Sequence, residues 1–245
     1  MALLNIFANF RIDTKERYLH MKYSFYSFKD IPAEKWIINI RGPYAKDSIK
    51  FLHENLKEKF IPHEKCNENG WLYDTRQMLS DINSEYILLW IEDHANLAKI
   101  SLLQDIIEEM KKNDIDSLWY SWWKYGHLRK RYHGVQLTPG NNIDYFNYTL
   151  DNNKIIQSNG GSFIISAVSI FKTSFFKKII SVDDPIPRRW PKDTPFDFEK
   201  GPNDIHWLPF KHALPKQELF ACIDKDSDCE NYCLQTRGLY PENKN

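Results

Sequence analysis

The sequence is poor in the residues that build glycine-rich phosphate loops and cysteine-based scaffolds. Nine of the 245 residues are glycine, and no GxGxxG or Walker pattern occurs anywhere. Four cysteines are present, but they form no CxxC pair and no paired zinc spacing. The missing phosphate loop argues against a dinucleotide-dependent oxidoreductase, and the cysteine spacing favours free thiols in a reducing compartment.

An excess of one charge and a long apolar run are also missing. Lys and Arg total 33, Asp and Glu total 33, and the formal net charge is zero. This balance predicts no broad attraction to nucleic acid or to an anionic membrane. No apolar run approaches the length of a membrane span, and the N-terminus lacks the pattern of a signal peptide. We therefore expect a cytoplasmic protein without an integral membrane segment.

The first half of the chain alternates between apolar runs and amphipathic segments. Predicted strands cover 3–10, 35–40, 60–62, 86–91 and 117–122, and predicted helices cover 15–28, 45–56, 74–82 and 97–112. Asp74 is the expected N-cap of the third helix. Alternation of this kind predicts an α/β fold with a parallel sheet and helices on both of its faces.

The pattern changes after Trp123. Segments 144–150 and 154–157 are expected to pair as a hairpin, 162–171 is a strongly apolar strand, and 173–180 is a short helix. Thr194 and Pro195 suit the start of another helix, and 206–224 is a series of strand-like pieces. We expect an α+β extension of the same sheet, and therefore one domain over 1–245 with halves 1–123 and 124–245.

The most informative segment is an apolar run that leads directly into three metal-competent side chains. Ile87–Ile91 is typical of a strand buried on both faces, and Glu92, Asp93 and His94 follow it. The carboxyl ends of strands in an open α/β sheet line the crevice where ligands bind. Two carboxylates and an imidazole suit Mn²⁺ or Mg²⁺. The plainer interpretation is an exposed strand end whose acids cap the next helix.

These features together resemble the GT-A glycosyltransferases, in particular small bacterial or viral enzymes of the family 2 kind. Segment 3–11 resembles the first strand and base-binding loop of that family, and Glu92-Asp93-His94 lies where the family has its Asp-x-Asp motif. Segments 166–176 and 194–199 resemble the later strand–helix unit and the segment that supplies a catalytic carboxylate. His94 departs from the pattern, since an acid is usual there. The resemblance implies a GT-A-like, Rossmann-like and mostly parallel sheet.

The resemblance also implies an activity: transfer of a sugar from a nucleotide-diphosphate donor, a UDP-sugar by preference, to a carbohydrate or other hydroxyl acceptor, as in polysaccharide biosynthesis. A divalent cation would offset the charge of the departing diphosphate. Glu92, Asp93 and His94 are expected to hold that ion directly or through water, or to position the ribose of the donor, so Glu92 and Asp93 are candidates for nucleotide contacts as well. A further ligand commonly comes from a late histidine in this fold, and His212 is preferred slightly over His206. A structural imidazole is the alternative for both histidines.

A transferase that inverts the sugar configuration needs a general base for the acceptor hydroxyl. Glu199 is the first candidate and Asp197 the second, because both lie in the first turn of an expected helix after a Pro-rich loop. Inversion is favoured, although the residues are also compatible with retention.

Contacts to the base and ribose of the donor are expected from polar residues that follow the early strands or open the third helix. The candidates are Asn9, Arg11, Arg41, Asp74 and Arg76. The basic run Arg129-Lys130-Arg131 is either a solvated face or a contact for phosphate or for the carboxylate of a uronic acid.

Two other functions compete with sugar transfer. A sugar nucleotidyltransferase also uses a parallel sheet, acids and a metal, but it normally has a Gly-rich loop where this chain has Ala8-Asn9-Phe10-Arg11. A non-catalytic module that binds carbohydrate or nucleotide would keep the fold without turnover.

Overall fold

The computed structural model describes residues 3–66, 70–119, 130–161, 163, 167–181, 207–224 and 232–240. Its strands are β1 (Leu4–Arg11), β2 (Trp36–Arg41), β3 (Phe60–His63), β4 (Tyr86–Leu89), β5 (His94–Asn96), β6 (Ser117–Leu118), β7 (Thr138–Pro139), β8 (Ile143–Tyr148), β9 (Ser169–Lys172), β10 (Phe210–Pro215) and β11 (Phe220–Cys222). Its helices are α1 (Lys15–Phe28), α2 (Ala45–Leu56), α3 (Trp71–Met78), α4 (Ile100–Lys112), α5 (Leu150–Ser158) and α6 (Thr173–Ile180).

Nine of these strands form one sheet in the order β3-β2-β1-β4-β9-β6-β10-β8-β7. β1 pairs in parallel with β2 and β4, and β2 pairs in parallel with β3. The core lies along β1, β2 and β4, where almost every side chain is buried. Their continuous apolar runs fit this position, since both faces of a central strand are covered. The predicted α/β fold class and the strand–helix alternation of the first half are therefore confirmed.

The second half continues the same sheet, as predicted, but one of its strands runs antiparallel to its neighbours. β9 lies between β4 and β6 and runs antiparallel to both, so the sheet is mixed. Leu88 of β4 and Leu118 of β6 are both opposite Ile170 of β9. β4 and β6 therefore point the same way, and their carboxyl ends reach one edge of the sheet within one residue of each other.

The predicted hairpin of 144–150 with 154–157 is wrong. Residues 150–158 form α5, because the Thr149 side chain accepts a hydrogen bond from the Asn152 backbone N–H at 3.3 Å and caps a helix there. β8 pairs instead with β7 and β10, both antiparallel.

Two smaller expectations also need correction. α3 begins at Trp71 after Gly70, so Asp74 lies in the first turn and is not the N-cap. The last strand piece, β11, leaves the main sheet and pairs antiparallel with β5, with Cys222 opposite His94. This two-stranded unit holds the chain that follows β4.

None of the described helices is both long enough and apolar enough to cross a membrane.

Candidate active site

The acidic turn after β4 is fixed at the carboxyl edge of the sheet by backbone hydrogen bonds. Trp90 N–H donates to the Phe7 carbonyl at 2.8 Å, which keeps the chain beside β1. Ile223 N–H donates to the Asp93 carbonyl at 2.7 Å. The turn is thus held between the main sheet and the β5–β11 pair, which limits its freedom before any ligand binds.

Glu92 is buried, with 2% of its surface exposed, and it is neutralised by Arg17 of α1. The Arg17 Nε donates to Glu92 Oε1 at 2.9 Å, and Nη2 contacts the same oxygen. Burial and the neighbouring Asp93 raise the pKa of Glu92, while Arg17 opposes that rise. Glu92 therefore holds Arg17 from the buried side of the pair. The arginine side chain itself stays 42% exposed, so it remains accessible to a ligand.

Asp93 and His94 form a second pair in the same turn. The His94 ring nitrogen Nδ1 and Asp93 Oδ1 are 2.5 Å apart, and Arg17 Nη2 is 3.4 Å from Asp93 Oδ2. Burial alone would raise the pKa of Asp93, but His94 and Arg17 outweigh it, so the pKa is lowered. Asp93 is the more exposed acid of the turn, at 18%. It is an ionised carboxylate that is partly exposed and is oriented by its neighbours.

Three residues that the sequence analysis overlooked belong to this site. Arg17, His20 and Ser24 lie on one face of α1 at spacings of three and four, and all three reach the turn or its surroundings. Ser24 Oγ donates to the His94 carbonyl, and Trp90 Nε1 donates to Ser24 Oγ at 2.7 Å. His20 Nδ1 is 3.7 Å from Asp224 Oδ2. A polar stripe on an otherwise buried helix face was the signal that could have found them.

The predicted metal cage is not assembled by the described residues. Within the described ranges, no group of three or more His, Cys, Asp or Glu side chains could hold a metal ion. Glu92 is held by Arg17, and the buried His94 orients Asp93. Of the three side chains of the turn, Asp93 offers the more accessible carboxylate. This still fits Mn²⁺ or Mg²⁺, which proteins often bind through one or two carboxylates while substrate phosphates and water complete the shell.

His212 lies elsewhere, on β10, and the structure does not bring it into a cage with Asp93. Its Nδ1 is 2.6 Å from Ser117 Oγ, and its Nε2 is 3.5 Å from the Tyr132 hydroxyl. The rings packed around it are Trp119, Tyr132, Phe146, Tyr148, Phe163 and Phe210. Burial lowers the pKa of His212 to about 3. A neutral imidazole inside an aromatic cluster is what we expect of a histidine with a structural role, which was the alternative to a metal ligand.

Asn9 is buried in a network of side-chain amides at the β1–β2 side of this edge. Its Nδ2 donates to Thr75 Oγ1 at 3.0 Å, and its Oδ1 accepts from Asn39 Nδ2 at 3.0 Å. Asn39 in turn accepts from the Lys65 N–H at 2.9 Å and donates to its carbonyl at 3.2 Å. Neighbouring residues of β1 and β2 therefore hold the chain on both sides of residues 67–69.

The other predicted donor contacts are spread over this side of the molecule. Arg11 is exposed and pairs with Asp13 at 2.7 Å, whereas Arg41 and Asp74 are buried. Arg76 Nε donates to the Ile180 carbonyl at 2.5 Å and so ties α3 to the end of α6. The Nε of Arg76 is thus used in a contact between two helices. Glu199, Asp197 and His206 lie outside the described residues.

The fold of this chain is similar to that of solved glycosyltransferases. S. aureus TarS residues 1–349 in complex with UDP-GlcNAc matches 91% of this chain and 59% of its own, with a TM-score of 0.52 and 12% identity. The mannosyltransferase PcManGT from Pyrobaculum calidifontis in complex with GDP-Man and Mn²⁺ matches 91% of this chain and 58% of its own, with a TM-score of 0.54 and 8% identity.

The similarity is structural and partial. No protein-family model matches the chain, and no curated protein matches its sequence. The chain spans about three fifths of the length of TarS 1–349 and of PcManGT. At such low identity, the agreement over nine tenths of this chain establishes the fold. The chain therefore has the GT-A-like fold of these glycosyltransferases.

Proposed function

We propose that this chain is a glycosyltransferase of the hexosyl or glucuronosyl type. It moves a sugar from a nucleotide-diphosphate donor, a UDP-sugar, to a glycan or other hydroxyl acceptor. The observation that carries the proposal is the turn at the carboxyl edge, where Arg17 and the ionised Asp93 lie side by side. A cation beside an accessible carboxylate, in a GT-A-like fold, suits a diphosphate and the metal that accompanies it.

Each residue of the turn has a distinct proposed role. Asp93 would hold Mn²⁺ or Mg²⁺, which supplies positive charge against the diphosphate leaving group. His94 keeps the Asp93 carboxylate oriented, and Glu92 keeps the Arg17 guanidinium at the edge of the sheet. Arg17 then stabilises the negative charge that develops on the phosphate oxygen as the bond from sugar C1 breaks.

The acceptor side of the reaction rests on the sequence prediction. Glu199, with Asp197 as second choice, takes the proton from the acceptor hydroxyl as that oxygen attacks C1. Attack from the face opposite the diphosphate inverts the anomeric configuration. The donor-contact roles of Asn9, Arg11, Arg41, Asp74 and Arg76 are proposed likewise. For Asn9 the role is indirect, because its side chain is engaged by Asn39 and Thr75.

Donor hydrolysis tests the proposal directly. UDP-GlcNAc, UDP-glucose, UDP-glucuronic acid and GDP-mannose are incubated with the purified chain and Mn²⁺, and free nucleotide diphosphate is measured. Many transferases leak donor to water slowly, so one donor should be hydrolysed faster with Mn²⁺ than with EDTA. Asp93→Asn should remove the Mn²⁺-dependent part, while Asp105→Asn, an exposed acid of α4, should not.

Calorimetry separates this function from its competitors. A transferase binds UDP more tightly with Mn²⁺ than without it, and Glu92→Ala and His94→Ala should each weaken that Mn²⁺-dependent binding. A carbohydrate-binding module ignores both UDP and the ion. A nucleotidyltransferase would release pyrophosphate from a nucleoside triphosphate. Hydrolysis of no donor, together with UDP binding that Mn²⁺ leaves unchanged, would refute the proposal.

A further inference from the structure

A large cavity opens in the second half of the chain, and its lining contains no residue of the acidic turn. Its volume is about 870 Å³, which is within the usual range for small-molecule sites. Lys130, His133 and Asn159 supply its polar lining, and Tyr132, Val135 and Leu137 supply apolar surface. Asp and Glu are missing from the described lining. The cavity is therefore amphipathic, and among its described lining residues the charged or titratable groups other than Tyr132 are basic.

The strand register relates this cavity to the acidic turn. Tyr132 packs edge-on against Trp119 at 5.4 Å between ring centres, and Trp119 directly follows β6. β6 ends within one residue of the level of β4, two strand spacings away, which is about 10 Å. One wall of the cavity thus packs against the residue that follows β6, at the edge of the sheet where the turn with Asp93 also lies.

The wall that carries the basic side chains is held in place by α5. Asn159 Nδ2 donates to the carbonyls of His133 at 2.9 Å and Arg131 at 3.2 Å. Gly134 has a φ of +88°, and the next residue, Val135, donates its N–H to the Tyr132 carbonyl at 3.0 Å. This tight turn fixes the backbone of the wall before any ligand arrives, which lowers the entropic cost of binding.

The basic side chains have no competing partner within the described part of the chain. Neither the Lys130 ammonium nor the His133 imidazole forms a hydrogen bond or ion pair with another described residue. A lysine pairs readily with phosphate or carboxylate, and an imidazole can donate to the same oxygens. The apolar surface beside them suits the C–H face of a sugar or polyol.

We propose that this cavity binds an anionic group of the acceptor, a phosphate or a carboxylate carried on a sugar or polyol. Lys130 and His133 recognise the anion, and Val135 and Leu137 contact the carbon skeleton. Anion binding by the cavity stands independently of catalysis, whereas the identification of its ligand as the acceptor rests on the proposed glycosyltransferase function.

The test measures binding of small probes by calorimetry at low salt. Glycerol 1-phosphate and glucuronate are the two anionic probes, and glucose is the neutral one. The full chain is compared with the double variant Lys130→Gln/His133→Gln and with a matched control, Lys46→Gln/His53→Gln, which changes exposed residues of α2. A second variant, Lys130→Glu, reverses the charge at the cavity. Circular dichroism and the thermal midpoint report on folding for each protein.

Both anionic probes, or one of them, should bind more tightly than glucose, and added salt should weaken that binding. The cavity variants should lose roughly tenfold or more in affinity, as expected for charge-assisted hydrogen bonds, while the control keeps it. The anionic probe that binds more tightly shows whether the cavity prefers a phosphate or a carboxylate. Equal binding to wild type and double variant, or no preference for the anionic probes, overturns the proposal. Donor hydrolysis by the wild-type chain is assayed in parallel, so failure of the cavity and failure of the transferase function are separate results.

Discussion

Arg17 and Glu92, 75 residues apart in sequence, form the electrostatic centre of the candidate site. Both Nε and Nη2 of the arginine contact one carboxylate oxygen of a glutamate that is buried beneath it. The pKa of Arg17 is raised, because Glu92 and Asp93 more than offset the effect of its partial burial. The guanidinium of Arg17 therefore stays protonated, and the buried Glu92 holds it beside Asp93.

Replacing Arg17 by Gln should destabilise the fold in a pH-dependent way. Glu92 would then be buried without a cation, and its pKa would rise further above its ordinary value of 4.5. A carboxyl whose pKa is higher in the folded state loses stability as pH rises above 4.5. After a discount for the exposure of Arg17, we expect a loss of about 2 kcal/mol at pH 8 and less at pH 5. Urea unfolding at both pH values measures it.

The double variant Arg17→Gln/Glu92→Gln is the control for this prediction. It places a neutral amide where the carboxylate was, so the pH-dependent part of the loss should disappear. A loss of stability in Arg17→Gln that is the same at pH 5 and pH 8 would contradict the assigned electrostatic role.

His212 should make the protein sensitive to mild acid. Its pKa is lowered to about 3 by burial, whereas the unfolded chain takes up the proton near 6.5. Its contribution to stability is complete above pH 6.5 and declines as pH falls toward 3, by about 1.4 kcal/mol for each pH unit. His212→Phe removes the titrating group from the aromatic cluster. Its free energy of unfolding should depend less on pH between 7 and 5 than that of the wild type, and parallel curves would disprove the assignment.

Asn39→Ala should loosen the segment before residue 67. The substitution leaves the Lys65 N–H and carbonyl without the side-chain amide that pairs with both. The substitution also removes the donor to the buried Asn9 Oδ1, and an unsatisfied buried polar group costs about 1–3 kcal/mol. We expect faster hydrogen exchange at Lys65 and a lower midpoint in urea. Asn55→Ala, which removes an exposed bond to the Phe51 carbonyl, should change neither.

Gly42 should be intolerant of any side chain. Its φ is +97°, and a Cβ placed there would lie 2.4 Å from the Ile12 carbonyl oxygen. The left-handed backbone alone costs about 1–2 kcal/mol for alanine. Gly160→Ala isolates that cost, because Gly160 has a φ of +75° and an added Cβ meets nothing within 4 Å. Gly42→Ala should cost distinctly more in the free energy of unfolding, and equal losses would show that the β1–β2 edge yields without strain.

Glu199→Gln should retain UDP binding and lose sugar transfer, since only proton removal is affected. The loss of a positioned base is typically about 10²–10⁴-fold in rate. Transfer to a hydroxyl acceptor and UDP affinity are measured on the same preparation, with Asp197→Asn for comparison. Near-normal turnover in Glu199→Gln would show that another residue is the general base.

The local part of the architecture could be predicted because it depends on short-range patterns. The segments 15–28, 45–56 and 173–180 were predicted as helices and agree with α1, α2 and α6 residue for residue. The hairpin prediction failed at 150–158, where one Thr149 hydrogen bond favours a helix over a strand of similar composition. The antiparallel β9 could not be predicted, because strand direction depends on partners more than 50 residues away.

The sequence alone determined that an apolar strand ends in Glu92, Asp93 and His94 and that this end meets the carboxyl edge of an α/β sheet. Tertiary structure decided what those side chains do. It paired Glu92 with Arg17, oriented Asp93 through His94 and enclosed His212 in aromatic rings on a distant strand. The reason is physical: hydrophobic periodicity is written into neighbouring residues, whereas the charge and accessibility of a side chain depend on which distant groups the fold packs against it.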